Sequence, residues 1–336
     1  MFLKKDKFIL VADVGGTKTT FAVIDQNKKM LFKKTYSSCE ITNFTDTILQ
    51  FMNLEECKKY KIIDACIGAS GPINEEKSYA RLTNLEWTID VNNMLVRTPL
   101  HNIKLLNDFE AIGLGYDSLK EDQYTELTNH GRNPKGTIAI IGAGTGLGMS
   151  ILAYTNGKHY PILSEGGHTD FPILITDKID IKLQSFLIQK KAYFDAEDIV
   201  SGKGIINIYT FLTTQKIKHS DKIKREINKS SKIEKPAIIM KYALEDKDAL
   251  CVLTLELFIK YYARVARNLA LITLCSELII SGGIAPKIIS AMQDSFVEEF
   301  MIHNREEYRK FLEKIPILVL TNSDIGLYGA LNAIKA

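Results

Sequence analysis

Asn107-Asp108 closes the apolar run 103–108 (IKLLND) and leads into FEAIGLGYDSL. A carboxylate at the end of a strand, in a cleft between lobes, is placed to accept a proton from a substrate hydroxyl. An aspartate at that point can equally cap the following helix. In SEGGH (164–168), Glu165 and His168 flank two glycines. The two side chains can converge on vicinal hydroxyls while the backbone between them stays open to a ligand. A structural turn or a metal site would use the same residues, but a metal needs further ligands at fixed spacing, and they are missing. His101, His130, His159, His219 and His303 are isolated and carry no assigned role.

Four glycine turns each follow an apolar run. DVGGTKTTF (13–21) offers the close backbone N–H groups that phosphates require. Gly15 and Gly16 allow the approach, Thr17 and Lys18 add donors, and Asp13 could hold Mg²⁺ through water. A plain hairpin turn explains this segment equally well. GAGTGLG (142–148) has glycine at alternate positions, yet Leu147 stands where a dinucleotide fingerprint needs glycine. Neither Thr17-Lys18 nor Gly202-Lys203-Gly204 completes a P-loop. A dehydrogenase and a P-loop NTPase therefore lose their main support. SGGIAP (281–286) puts Gly282 and Gly283 where a strand meets a helix, a turn that can pack against a nucleobase or ribose. GASGP (68–72) would let a substrate or the other lobe come close.

These turns need strands and helices to hold them. FILVADV (8–14), TTFAVID, IIDACIGA (62–69), TIAIIGAG (137–144), MSILAY, ELIIS and IPILVL (315–320) read as strands. Strand, glycine turn, strand, hairpin turn and strand occur twice, near residues 8 and 137, which suggests two related lobes. Asn156-Gly157 is a strong hairpin signal. The pattern predicts two short helices across AEDIVSGKGIINIYTFL, broken at Ser201-Gly202, and a long apolar helix over 249–274. Pro286 sits where a first helical turn accepts proline. The lysine-rich stretch 214–235 reads as a solvated helix or loop without core positions. Alternating strands and helices make a layered α/β protein.

The 336 residues suffice for two domains. With 46% hydrophobic and 25% charged residues, the composition is that of a soluble globular protein. A net charge of +3 is too small to make nucleic acid or anionic membrane a main partner. The opening MFLKKDKFILVADVGG is interrupted by Asp13 and lacks a cleavage site, so no signal peptide is expected. No transmembrane helix is expected either. Five scattered cysteines without a CxxC pair suit reduced thiols in the cytoplasm.

Asp-x-Gly-Gly-Thr-Lys, Leu-Asn-Asp-Phe-Glu-Ala, Gly-Thr-Gly-Leu-Gly, Ser-Glu-Gly-Gly-His and Ser-Gly-Gly-Ile-x-Pro run in the order found in bacterial glucokinases. The chain resembles that family, within the sugar kinase, Hsp70 and actin superfamily, from residue 8 to about 332, including NSDIGLYGAL. The resemblance implies a two-lobed, ribonuclease H-like α/β fold with ATP, Mg²⁺ and glucose meeting in the cleft. The small lobe would span about 1–108, with a C-terminal helix free to return to it, and the large lobe 109–336. Asp13, Gly15, Gly16, Thr17 and Lys18 would form the first phosphate segment; Gly144, Thr145, Gly146 and Gly148 the second. Gly282 and Gly283 would hold the adenosine. Asn107, Asp108, Glu165, His168 and Glu197 match the sugar-binding residues, and Asn84, in LTNLEW, would lie near the sugar. Asp108 would take the proton of the 6-hydroxyl as it attacks the γ-phosphate, and closure of the lobes would exclude water. The family also implies a homodimer.

The zinc signature of the related ROK family, a histidine followed by CxCGxxGC, is absent, and Cys251 and Cys275 lie in apolar segments. A ROK-type repressor is not expected, since no DNA-binding extension precedes residue 8. A kinase for another hexose, such as mannose or an N-acetylated sugar, and a non-catalytic sugar sensor on the same fold stand as alternatives. Polyphosphate or ADP in place of ATP would need only local changes.

Overall fold

The computed structural model describes residues 7–82, 85–174 and 176–335. Contacts divide the chain into two compact units. The first takes the described residues up to Glu121, then Lys158–Leu163 and the segment from Asn322 onward. The second takes Asp122–Gly157 and Ser164–Thr321.

In the first unit run β1 (Phe8–Val14), β2 (Lys18–Asp25), β3 (Met30–Ser37), β4 (Ile62–Ala69), a small hairpin of β5 (Tyr79–Arg81) and β6 (Thr88–Asp90), and β7 (Asn102–Asn107). The main sheet has the order β3-β2-β1-β4-β7. β1 is antiparallel to β2 and parallel to β4, which is parallel to β7. Both faces of β1 are covered, which explains its apolar run Phe8–Ala12 ahead of Asp13. Leu10, Ala12 and Val14 join Phe21, Phe44, Phe51 and Trp87 on one side. Ile9 and Val11 join Ala111, Leu327 and Leu331 on the other, as the two-residue period of a strand dictates.

Helix Asp108–Gly115 packs against the C-terminal helix Ile325–Lys335. The two meet backbone to backbone: a Cβ on Gly329 would overlap the Ala111 carbonyl oxygen, and one on Gly115 would overlap that of Ile325. This fixes the helix that begins at Asp108.

The remaining strands are β8 (Tyr124–Glu126), β9 (Ile138–Ala143), β10 (Leu147–Thr155), β11 (Lys158–Ser164), β12 (Glu277–Ser281) and β13 (Ile317–Leu320). Most of β11 falls in the first unit. Within the second unit the strands follow the order β10-β9-β12-β13-β8. β9 is antiparallel to β10 and parallel to β12, which is parallel to β13. The run β10-β9-β12-β13 thus repeats β2-β1-β4-β7 in order and direction. The hairpin after β10 turns at Asn156 and Gly157, both at positive φ (51° and 77°), as a type I′ turn requires.

Three local expectations need correction. The segment before Ser201 is a set of turns and not a helix. Asp195 and Asp198 accept hydrogen bonds from each other's backbone N–H (3.0 and 3.1 Å), a reciprocal pairing that opens a helical turn, but the turn is not continued past Val200. Ser201 then caps a single helix, Gly202–Leu212. In the lysine-rich stretch, helix Asp221–Lys229 buries Ile223 and Ile227 and therefore does have core positions. The long helix, Ala249–Thr273, is not purely apolar inside: Arg264 is buried. Its guanidinium is held by Asp180 and by Glu299 (Nε to Oε1, 2.7 Å). Asp180 also accepts from Tyr261 Oη and Leu174 N, each at 3.1 Å. Among the described residues no helix is long and apolar enough to cross a membrane.

Two outcomes follow for stability. Gly329→Ala must push two helix backbones apart, and it should cost about 3 kcal/mol, at the upper end for overpacking; a thermal melt within a degree of wild type would contradict the contact. Arg264→Met strands the buried Asp180 carboxylate and should destabilise by about 3–5 kcal/mol. Urea unfolding measures this, and adding Asp180→Leu to that variant should recover part of the loss.

Candidate active site

In the first unit the candidate residues gather where parallel strands end. Asp13 pairs in register with Gly68, and Ala69 with Asn107, so β1, β4 and β7 bring Asp13 and Asn107 to the same carboxyl edge. Open α/β sheets bind ligands at that edge. The turn after β1 closes with Gly15 N donating to Lys18 O at 2.9 Å, and Ser38 Oγ donates to Gly15 O at 2.7 Å. Thr17 and Lys18 are exposed on it, while Gly15 and Gly16 are half-buried.

The Asp13 carboxyl is partly buried. Burial pushes its pKa up to about 6, and the nearby Asp324 carboxylate acts in the same direction. Asp324, at the foot of the C-terminal helix, is itself held by Lys33 (2.8 Å to both oxygens). A raised carboxyl beside a second one suits a hard cation with oxygen ligands such as Mg²⁺. The donor set fits.

Asn107 rather than Asp108 caps helix Asp108–Gly115, its Oδ1 accepting from Phe109 N at 2.9 Å. Asp108 is the first helical residue, and its own Oδ1 also accepts from Phe109 N (3.0 Å). An acidic group is favoured there by the helix dipole. GASGP is used differently from expectation: a Cβ on Gly68 would lie 3.1 Å from Ala111 Cβ, so its absence admits the unit's own helix.

In the second unit two of the four glycine turns meet, 142–148 and 281–286, together with the helix start at Gly202. Gly282, at φ +87°, lies against Ala143, where any Cβ would overlap the carbonyl oxygen. Ile284 N donates to that oxygen at 3.2 Å, and Gly202 N donates to Gly144 O at 2.8 Å. A Cβ on Gly144 would have only Gly283 N within reach, at 4.0 Å. Tyr262, from inside the long helix, accepts from Ala143 N (3.1 Å) and so pins the end of β9. Thr145 is exposed at the tip of the turn. Gly148 lies in β10 opposite Gly142, past the turn.

The sugar-type residues lie next to this turn. Glu197 Oε2 accepts from Leu147 N at 2.9 Å, and a side chain on Gly146 would overlap that oxygen. Glu197 N in turn donates to Gly167 O at 2.9 Å. In SEGGH the glycines serve packing, contrary to expectation: Gly167 is buried, with no room for a Cβ beside Leu147 O. Glu165 is exposed and precedes the single turn Gly166–His168. His168 Nδ1 lies 3.0 Å from Asp195 Oδ2, and this contact, with the charges of Glu197 and Glu165, raises its pKa.

Asn84 lies outside the described residues. Sequence reasoning passed over Asp324, Asp195 and Tyr262. Asp324 stands inside NSDIGLYGAL, already singled out, and Asp195 lies two residues before Glu197, so a count of the carboxylates there would have found both. Nothing marks Tyr262 within its helix.

The glucokinase family model matches residues 10–336. Over 342 aligned residues the chain is 34% identical to a glucokinase of Nostoc punctiforme, covering 96% of this chain and 97% of that one. A crystal structure of glucokinase from an Antarctic psychrotroph superposes with a TM-score of 0.76 at 25% identity, covering 98% and 99% of the two chains. A ROK family glucokinase from Streptomyces griseus, in complex with glucose and AMPPNP, shares the fold (TM-score 0.67, 16% identity, 97% and 98% covered). The α/β fold is that of sugar kinases of the Hsp70 and actin superfamily. With a family match from residue 10 to the last residue and a relative this similar over nearly its whole length, the chain belongs to the glucokinase family.

Proposed function

We propose that the chain transfers the γ-phosphoryl group of ATP to the 6-hydroxyl of glucose, with Asp108 as general base. The observation that carries the role of Asp108 is its place: it directly follows β7 at the carboxyl edge of the parallel strands and begins the helix locked against the C-terminal helix. Family membership, and glucose with AMPPNP in a relative of the same fold, support the substrates.

In this reading Asp108 accepts the proton of O6 while that oxygen forms its bond to the γ-phosphorus. The bond from phosphorus to the bridging oxygen breaks, and ADP leaves with that electron pair. Asn107, Glu165, His168 and Glu197 orient the ring. Glu197 would contribute Oε1, because Oε2 is engaged with Leu147 N. Backbone N–H groups of 15–18 and 144–146 would receive phosphate oxygens, and Gly282-Gly283 the adenosine. Asp13 would hold Mg²⁺ through water, where the ion neutralises phosphate charge. Positioning dominates such transfers, with little covalent work for the protein. Five unpaired cysteines, four of them buried, support a reducing, cytoplasmic setting. A homodimer rests on the family resemblance.

Coupled detection of ADP with MgATP and a panel of glucose, mannose, fructose, glucosamine and N-acetylmannosamine should show turnover on glucose first. Binding of glucose without any turnover would favour a sensor, and preference for another sugar a different hexose kinase. Asp108→Asn should lower kcat roughly 10²–10⁴-fold, with glucose affinity by calorimetry changed no more than a few-fold. Near-normal kcat in that variant would rule out the general base.

A further inference from the structure

We propose that Asp195 is a positioning residue for His168: its carboxylate keeps the proton on Nδ1, so that Nε2 meets a sugar hydroxyl as a hydrogen-bond acceptor. This rests on the functional reading above for the identity of the ligand, and on geometry within one unit for everything else.

The segment 193–197 runs against 167–170 and is tied to it along its length. Tyr193 Oη donates to His168 O at 3.2 Å, Ala196 N to Thr169 O at 2.9 Å, and Glu197 N to Gly167 O at 2.9 Å. Asp170 and Asp195 form an antiparallel bridge. The Asp195 carboxylate is divided between two tasks. Oδ1 accepts from Asp198 N at 3.0 Å, and Oδ2 faces His168 Nδ1 at 3.0 Å. An ionised carboxylate only accepts, so the hydrogen between them belongs to Nδ1. In the neutral ring Nε2 is then the lone-pair nitrogen. The His168 side chain is 54% exposed while that of Asp195 is 15% exposed, so the ring reaches outward from a sheltered anchor.

The surroundings are acidic towards the imidazole. Asp195, Glu197 and Glu165 all favour its protonated form, and partial burial opposes them. Asp170 lies near Tyr193. Asp198, the neighbour that fixes Asp195, is neutralised by Lys191 and by Lys203, the latter at 2.7 Å. The anchor therefore stays fixed while the ring titrates. The same strand of backbone carries Glu197, so one short segment sets both the imidazole and a ring-binding carboxylate. Loss of the partner that orients a metal-bound histidine costs roughly 10–100-fold in metal affinity or activity, and a loss of the same order is the expectation for His168 toward its sugar.

Asp195→Asn is the informative change. Its oxygen is still required at Asp198 N, which leaves the introduced NH₂ facing Nδ1. An amide donor there moves the ring proton to Nε2 and turns the acceptor offered to the sugar into a donor. Nitrogen-15 NMR of the histidine rings at a pH above the raised pKa of His168, where the ring is neutral, with the His168 signals assigned by their loss in His168→Ala, should show the Nδ1–H tautomer in the unliganded chain and the Nε2–H tautomer in Asp195→Asn. KM for glucose should rise about 10-fold or more, with kcat within about 3-fold and KM for ATP unchanged. In a His168→Ala background, Asp195→Asn should add no further loss, which separates an effect through the imidazole from general loosening of the turn. The proposal is overturned by an unchanged tautomer, or by a KM effect that persists without His168. Absence of glucose turnover in the wild-type chain would overturn the functional reading instead. The tautomer measurement needs no substrate and still decides whether Asp195 sets His168.

Discussion

Two consecutive residues, Ala143 and Gly144, hold the second unit's candidate site together through their backbone groups. Ala143 N donates to Tyr262 Oη, Ala143 O accepts from Ile284 N, Gly144 O accepts from Gly202 N, and Gly144 N donates to Gly146 O. Buried backbone groups demand partners, and here three of the four are met by different distant segments and the fourth within the turn itself. The long helix, the turn after β12 and the helix after Ser201 are each fastened to the end of β9 in this way. A displacement of that strand end would move all of them together.

The same economy governs the acidic residues. Glu197 lends one oxygen to Leu147 N and Asp195 one oxygen to Asp198 N, so each carboxylate is held by the backbone through half of its acceptors. A side chain anchored through one oxygen loses little further entropy when the other meets a ligand. In the first unit, Asn107 plays the comparable part by taking over the cap and leaving Asp108 as the first residue of a helix locked by its glycine contact with the C-terminal helix.

The main strands, the hairpin at Asn156-Gly157 and the order of the glycine turns were legible because a two-residue apolar period and turn residues are local signals. The purposes of the glycines were less so. Gly68 and Gly167 suggest room for a ligand in the sequence and instead make room for the protein itself, the Ala111 side chain at Gly68 and the Leu147 backbone at Gly167. Sequence shows that a Cβ is missing but not what occupies its place. Arg264 was hidden inside an apolar pattern because its partners, Asp180 and Glu299, are 84 and 35 residues away.

By itself, the sequence determined the alternation of strands and helices, the duplicated strand plan and the family, since these follow from short-range pattern and from motifs in a fixed order. Only the tertiary structure decided which residue caps the helix at Asp108, that Asp195 faces His168, and that Glu197 is tied to the turn before β10. The last two depend on segments brought side by side by backbone pairing, whereas the cap is a local contact open to both Asn107 and Asp108, which residue type alone does not choose between. Hydrogen bonds are directional and reach only about 3 Å, so no spacing along the chain could have settled them.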